Sequence, residues 1–160
     1  MYQEDQSDRL PQNGAQPDWK VIGPRDERRK ARMMELYTGG SLHTGKDYVH
    51  AAMILQHGEK PEDFLLCHEL CIAALFKSTA ADSDWVGLAK WLAAASEDRF
   101  LVAVGRSQRF GTQFYNTGQG TPWRLRPVEE GVTDELRTVW EVPTLEKAKA
   151  REIEMNKGSH

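Results

Sequence analysis

TGKDYVHAAMILQHGEKPEDFLLCHELCIAALFKSTAADSDWVGLAKWLAAASEDRFLVAVGRSQRFGTQ, residues 44–113, reads as three amphipathic helices in succession, closed by Gln-Arg-Phe-Gly-Thr-Gln at 108–113. Thr44 caps the first, which runs from about Gly45 to His57, and Asp47 stands where a capping box needs its acidic member. Pro61 opens the second, with Glu62 and Asp63 in its first turn, and it continues to about Lys77. Only Gly58-Glu59-Lys60 joins the two, so they are expected to form an antiparallel hairpin. The third starts near Ser83 and runs to Val104, stopped by Gly105; about 22 residues at 1.5 Å each make it ~33 Å long, enough to span a small domain.

Toward the N-terminus, a further helix is expected from near Pro24 to Gly39-Gly40, with Asp26 and Glu27 in its first turn and Met33, Met34, Leu36 and Tyr37 as its apolar stripe. Its arginines and Lys30 are interleaved with Asp26, Glu27 and Glu35, which suits a solvated face better than a phosphate-binding one. Residues 1–24 hold Pro11, Pro17, Pro24, Gly14 and Gly23 and lack a periodic apolar pattern. They read as a surface arm in which Trp19, Val21 and Ile22 make a short extended piece; the alternative is that Asp5, Gln6, Asp8 and Arg9 fold back over a site.

Beyond Gly105 the periodicity changes. Thr112–Asn116 and Trp123–Val128, separated by Thr117-Gly118-Gln119-Gly120, predict a β-hairpin. Thr133 caps a short helix through Trp140, and Pro143-Thr144 opens a last one to about Asn156. The chain therefore reads as mainly α, an antiparallel helix bundle or helix-hairpin stack of four to five helices with a small β-hairpin. Residues 1–160 form one domain: arm 1–24, helical core 25–104, loop and hairpin 105–130, C-terminal helices 131–157.

Composition narrows the function classes. A length of 160 residues suffices for a core without disulfides, and 39% hydrophobic content with a mean hydropathy of −0.63 suits a soluble protein. A net charge of −3 gives no global field for nucleic acid. No apolar run approaches the ~18 residues of a membrane span, and Met1-Tyr2-Gln3-Glu4-Asp5 is unlike a secretory signal. Cys67 and Cys71 lie one helical turn apart in an apolar segment, a poor geometry for a disulfide; they read as reduced core thiols and point to the cytoplasm.

Gly40-Ser41-Leu42-His43-Thr44-Gly45-Lys46 matches most of a phosphate-binding P-loop. Asp47 occupies the hydroxyl position, and a helix rather than a strand precedes the loop, so the match is rejected. Placement is the stronger signal. His68 falls on the stripe formed by Phe64, Leu65, Ile72 and Leu75. Asp98 stands three beyond Ala95 and four before Val102, on the stripe that begins at Leu88, Trp91 and Leu92. A carboxylate facing a core is costly unless paired. Arg99, His57 and His68 are possible partners, and Gln56 and His57 end their helix.

Two readings stay open. In one, Asp98 and Arg99 tie the long helix to the loop after it and His68 is a satisfied core histidine. In the other, His57, Asp98 and His68 do acid–base work while Gln56, Arg99, Gln108 and Gln113 bind a substrate. A metal site from His57, His68 and a carboxylate is weaker, because their spacing suits no known ligand set. No cofactor is implied. His43 and His50 read as solvent-facing, and Trp85 and Trp91 as packing residues.

Asp5-Gln6-Ser7-Asp8-Arg9, Asp26 with Arg29, Gln56-His57-Gly58, Asp98-Arg99 and Gln108-Arg109-Phe110-Gly111-Thr112-Gln113 together resemble a bacterial domain family of unknown function. Its members share a Gln-His element on a helix, an Asp-Arg pair and a Gln-x-[Phe/Tyr]-Gly-Thr-Gln signature, and His68 matches a further position. The likeness spans Asp5 to about Val142. It implies that these polar residues form one shared site and supplies no substrate. The function classes are thus a small cytoplasmic enzyme or small-molecule-binding protein and, as the alternative, a helical scaffold that binds another protein; oligomeric state is not legible.

Overall fold

The computed structural model describes residues 1–10, 16–118 and 120–157. Among them are seven helices and one two-stranded antiparallel sheet: α1 (Tyr2–Arg9), α2 (Trp19–Thr38), α3 (Gly45–Gln56), α4 (Pro61–Phe76), α5 (Ser83–Ala103), β1 (Phe114–Tyr115), β2 (Arg124–Leu125), α6 (Asp134–Val139) and α7 (Leu145–Asn156). The protein is mainly α with a small β-hairpin. Pro11 and Gly14 of the expected arm, and Gln119 of the expected turn, lie outside the described residues.

α3, α4 and α5 pack on one another and build the main core from Val49, Ala52, Leu55, Cys67, Leu70, Cys71, Ala74, Trp85, Ala89 and Leu92, with Met33 added from α2. Local chemistry fixes the ends of these helices. The Thr44 hydroxyl accepts from the Asp47 amide at 3.1 Å, and the Asp47 carboxylate accepts from the Thr44 amide at 2.9 Å and the His43 amide at 3.1 Å. Asp47 therefore serves the helix start, which accounts for the P-loop-like spelling in structural terms. Gly45 has its own reason: a Cβ built there would lie 2.4 Å from a Trp85 ring carbon and 3.0 Å from the Ala74 carbonyl oxygen.

Several sequence expectations need correction. The second helix starts at Trp19, capped by Asp18, whose side chain accepts from the Lys20 amide at 3.1 Å. Pro24 lies inside it rather than at its start; Gly23 ahead of it has no Cβ to crowd the ring. Trp19, Val21 and Ile22 are thus helical, and residues 2–9 of the supposed arm form α1. Leu65 and Trp91 are exposed, because the buried face of α4 is centred on Cys67, Cys71 and Ala74 and that of α5 on Ala89, Leu92 and Ala93. His50 is not solvent-facing: its ring stacks on Tyr2 at 3.9 Å between centroids. No helix among the described residues is long and apolar enough to cross a membrane.

The strands pair Phe114 with Leu125 and Tyr115 with Arg124, a shorter hairpin than the aromatic pattern suggested. α7 holds it from one side: Glu152 accepts from the Leu125 amide at 2.7 Å, and Asn156 bonds both the amide and the carbonyl of Trp123. Thr133 and Thr144 cap α6 and α7 as expected.

The Gly45 packing gives a direct test. Gly45→Ala forces Trp85 out of its place and is expected to lower the unfolding free energy by about 1–3 kcal/mol in urea titration. Unchanged stability would show that Trp85 yields freely.

Candidate functional site

Two polar networks meet at the C-terminal end of α3, where Gln56 and His57 stand side by side. The first is built on Asp98, which is fully buried on α5. Its Oδ1 accepts from the backbone amides of Arg109 (2.6 Å) and Phe110 (2.8 Å), and its Oδ2 from the amide (3.0 Å) and hydroxyl (2.8 Å) of Thr112. Gly111 makes this wrap possible, since its φ of +80° is a left-handed conformation that a side chain disfavours. Burial raises the Asp98 carboxyl above its ordinary value, against the pull of the four donors.

Gln108, also fully buried, staples the same loop from within. Its Oε1 accepts from the Gln113 amide at 2.7 Å, and its Nε2 donates to the carbonyls of Gln113 (3.0 Å) and Arg126 (2.9 Å). Arg137 clamps the loop from outside by donating to the carbonyls of Phe110 and Arg109. Gln113 then reaches back: its Nε2 donates to the Ala95 carbonyl and to Thr112, and its Oε1 accepts from Arg99 Nε at 3.3 Å. Arg99 Nη1 donates to the Gln56 carbonyl, and the guanidinium lies over the Phe64 ring at 5.4 Å.

The second network comes from α1 and α2. Asp5, only 1% exposed, accepts at 2.7 Å from Gln6 and at 2.6 Å from Arg9, and its Oδ1 lies 3.1 Å from His57 Nδ1. Asp26 joins Arg9 to Arg29, and Asp8 binds Arg29 and Arg25. Three carboxylates and three guanidiniums thus balance in charge. Burial works against ionisation of Asp5, yet the His57 hydrogen bond and charge, together with Arg9, hold its carboxyl below the ordinary value. Asp8 is held low by its bond to Arg29. For Arg29, burial is outweighed by Asp8 and Asp26, which raise it.

The expected acid–base pairing of Asp98 with a histidine is not formed. All of its hydrogen bonds go to residues 109–112, while His57 pairs with Asp5 and His68 Nδ1 lies 2.9 Å from the Ala93 carbonyl oxygen. The backbone amides of a loop outcompeted the imidazoles. Of the seven sequence-derived residues, Asp98, Gln108 and Gln113 are spent on holding that loop. Gln56, His57, His68 and Arg99 each keep an unused polar atom among the described residues. Their Nε2 (Nη2 for Arg99) atoms have no hydrogen-bond partner there. Asp5 and Arg9 are the residues that periodicity missed; the Asp5-Gln6-Ser7-Asp8-Arg9 run was the available signal.

The principal cavities are lined by other residues. One of about 750 Å³ lies between α1 and α2 and touches the second network through Asp8, Arg25 and Arg29. Among the described residues, no three His, Cys, Asp or Glu side chains converge as a metal site. No family model, curated protein or solved structure matches the chain, so the family likeness rests on the motif residues themselves.

Two outcomes test this geometry. Asp98→Asn puts an amide where only acceptors fit and should lower the unfolding free energy by roughly 3 kcal/mol, measured by chemical denaturation. A loss within ~0.5 kcal/mol would mean that the loop closes without it. Asp5 and Asp8 are depressed in the folded state, so their stabilisation is complete above the ordinary carboxylate range near ~4 and fades as pH falls through their folded values. The protection of α1 amides against hydrogen exchange, taken relative to the intrinsic rate at each pH, should therefore fall on acidification below about pH 4, before that of α3–α5.

Proposed function

We propose that the protein is a small-molecule-handling protein, with an enzyme-like proton-transfer site at His57. The observation that carries this reading is the His57–Asp5 contact. At 3.1 Å from a buried carboxylate, Nδ1 is placed to carry the proton, which leaves a lone pair on Nε2 of a side chain that is 19% exposed. A histidine so oriented suits the role of general base, with Asp5 fixing the tautomer. Gln56, Arg99 and His68 are the proposed binding groups around it. Asp98, Gln108 and Gln113 act one step removed, by fixing the loop that orients Arg99. This assignment also draws the motif residues of the resembled family into two adjoining networks, in keeping with one shared site.

The reading takes the protein to be cytoplasmic, in keeping with two buried free thiols. Cys71 is pushed far up by its contact with Cys67 and by burial, which makes it a packing thiol rather than a nucleophile. The scaffold alternative draws on one observation: Asp98, Gln108 and Gln113 are saturated within the fold. In that case α-helical surface rather than the surroundings of His57 would meet a protein partner.

A metabolite panel read by thermal shift, run on the wild type, His57→Gln and Asp5→Asn, separates the two. Compounds that raise the wild-type Tm should lose their effect in His57→Gln while far-UV circular dichroism is kept. Any compound turned over should react roughly 10²–10⁴-fold more slowly in His57→Gln. Identical responses of wild type and His57→Gln across the panel would refute the site.

A further inference from the structure

Among the described residues, the best-buried guanidiniums come with carboxylates. Arg9 is bound by Asp5 and Asp26, Arg29 by Asp8 and Asp26, and Arg137 lies 3.4 Å from Asp134. Arg99 and Arg126, both half-buried, take part in no ion pair among the described residues; Arg126 lies over the Tyr115 ring, whereas the hydrogen-bond partners of Arg99 are the neutral oxygens of Gln56 and Gln113. Its neighbour Asp98 cannot serve, because four donors from residues 109–112 already occupy that carboxylate. The C-terminus of α3 supplies only about half a negative charge against the full positive charge of the guanidinium. The contrast shows in ionisation: burial lowers Arg99, whereas Asp8 and Asp26 raise Arg29.

From this charge imbalance we infer that Arg99 is an oxyanion receptor, which binds a carboxylate or phosphate group of a small ligand through its unused Nη2 edge. The inference rests on the site proposed above and names its substrate class. Nε and Nη1 are committed to Gln113 and Gln56, so the guanidinium plane is fixed before a ligand arrives and little ordering is left to be done. The guanidinium carbon lies over the Phe64 ring, 5.4 Å from its centroid. Arg99 bonds the carbonyl of the residue that precedes His57, so an anion held there would lie beside the proposed base.

The test uses sodium phosphate and sodium acetate as probes, against sodium chloride at matched ionic strength, on the full chain. In the wild type, the Arg99 Nε–H resonance in a ¹H–¹⁵N spectrum should move saturably with phosphate or acetate and stay put with chloride. Which probe moves it identifies the oxyanion as phosphate-like or carboxylate-like. Arg99→Gln should weaken the accompanying thermal shift roughly ten- to hundredfold in affinity, the worth of one charge-assisted hydrogen bond. If Arg99→Gln unfolds, the wild-type resonance decides alone. No saturable movement with either probe, or an equal thermal response in folded Arg99→Gln (an adventitious ion only), overturns the inference. Anion binding at Arg99 alongside a silent His57→Gln comparison would instead reject the proton-transfer reading and leave the receptor standing.

Discussion

A carboxylate removed from water must be given donors, and Asp98 takes them from the backbone of a single turn. Three amides and one hydroxyl from residues 109–112 close on it, and that closure fixes where the chain goes after α5. Gln108 and Arg137 then bind the same turn from its two sides, and Gln113 emerges from it aimed at α5 and Arg99. The position of Arg99 over Phe64 and against the end of α3 is thus a consequence of a buried charge being satisfied one residue earlier. The two neighbours differ: Asp98 builds the turn, and Arg99 keeps an Nη2 that no described residue binds.

The two networks handle charge by different rules. Between α1 and α2 every buried cation finds an acid, and the sum is neutral; such seams specify geometry more than they add net stability. Around Asp98 and Arg99 the partners are backbone groups and amides, which satisfy hydrogen bonds without cancelling charge. His57 belongs to the first network through Nδ1 and lies beside the second through Gln56, and this position between the two is what gives its other nitrogen a place in the proposed chemistry.

The legible parts of the fold were those set by short-range rules. The Thr44–Asp47 box, Pro61 at the start of α4 and the caps at Thr133 and Thr144 depend on residues three or four apart, and each is found where its spelling places it. The inward placement of Asp98 also followed from helical period. Its partners did not, because backbone amides carry no residue-specific mark in a sequence. α1 was missed for a related reason: its ordered face is made of Asp5, Asp8 and Arg9, and an apolar-periodicity search is blind to a helix docked by charge. Pro24 misled because a proline that suits a first turn is tolerated here further in, behind Gly23. Leu65 and Trp91 misled because small residues, Cys67, Cys71 and Ala89, permit the close approach of α4 and α5 and so take the deepest positions.

α1 is eight residues long, below the ~12–15 at which an isolated helix holds itself together in water. Its order is borrowed from α2 and α3 through ionic contacts and a single ring stack on His50. The acid that contacts His57 is therefore carried on a segment with little structure of its own. Trimming a handful of leading residues would leave the helical core intact while disconnecting the imidazole from its carboxylate, so the amino terminus is the place where this fold separates being folded from being competent.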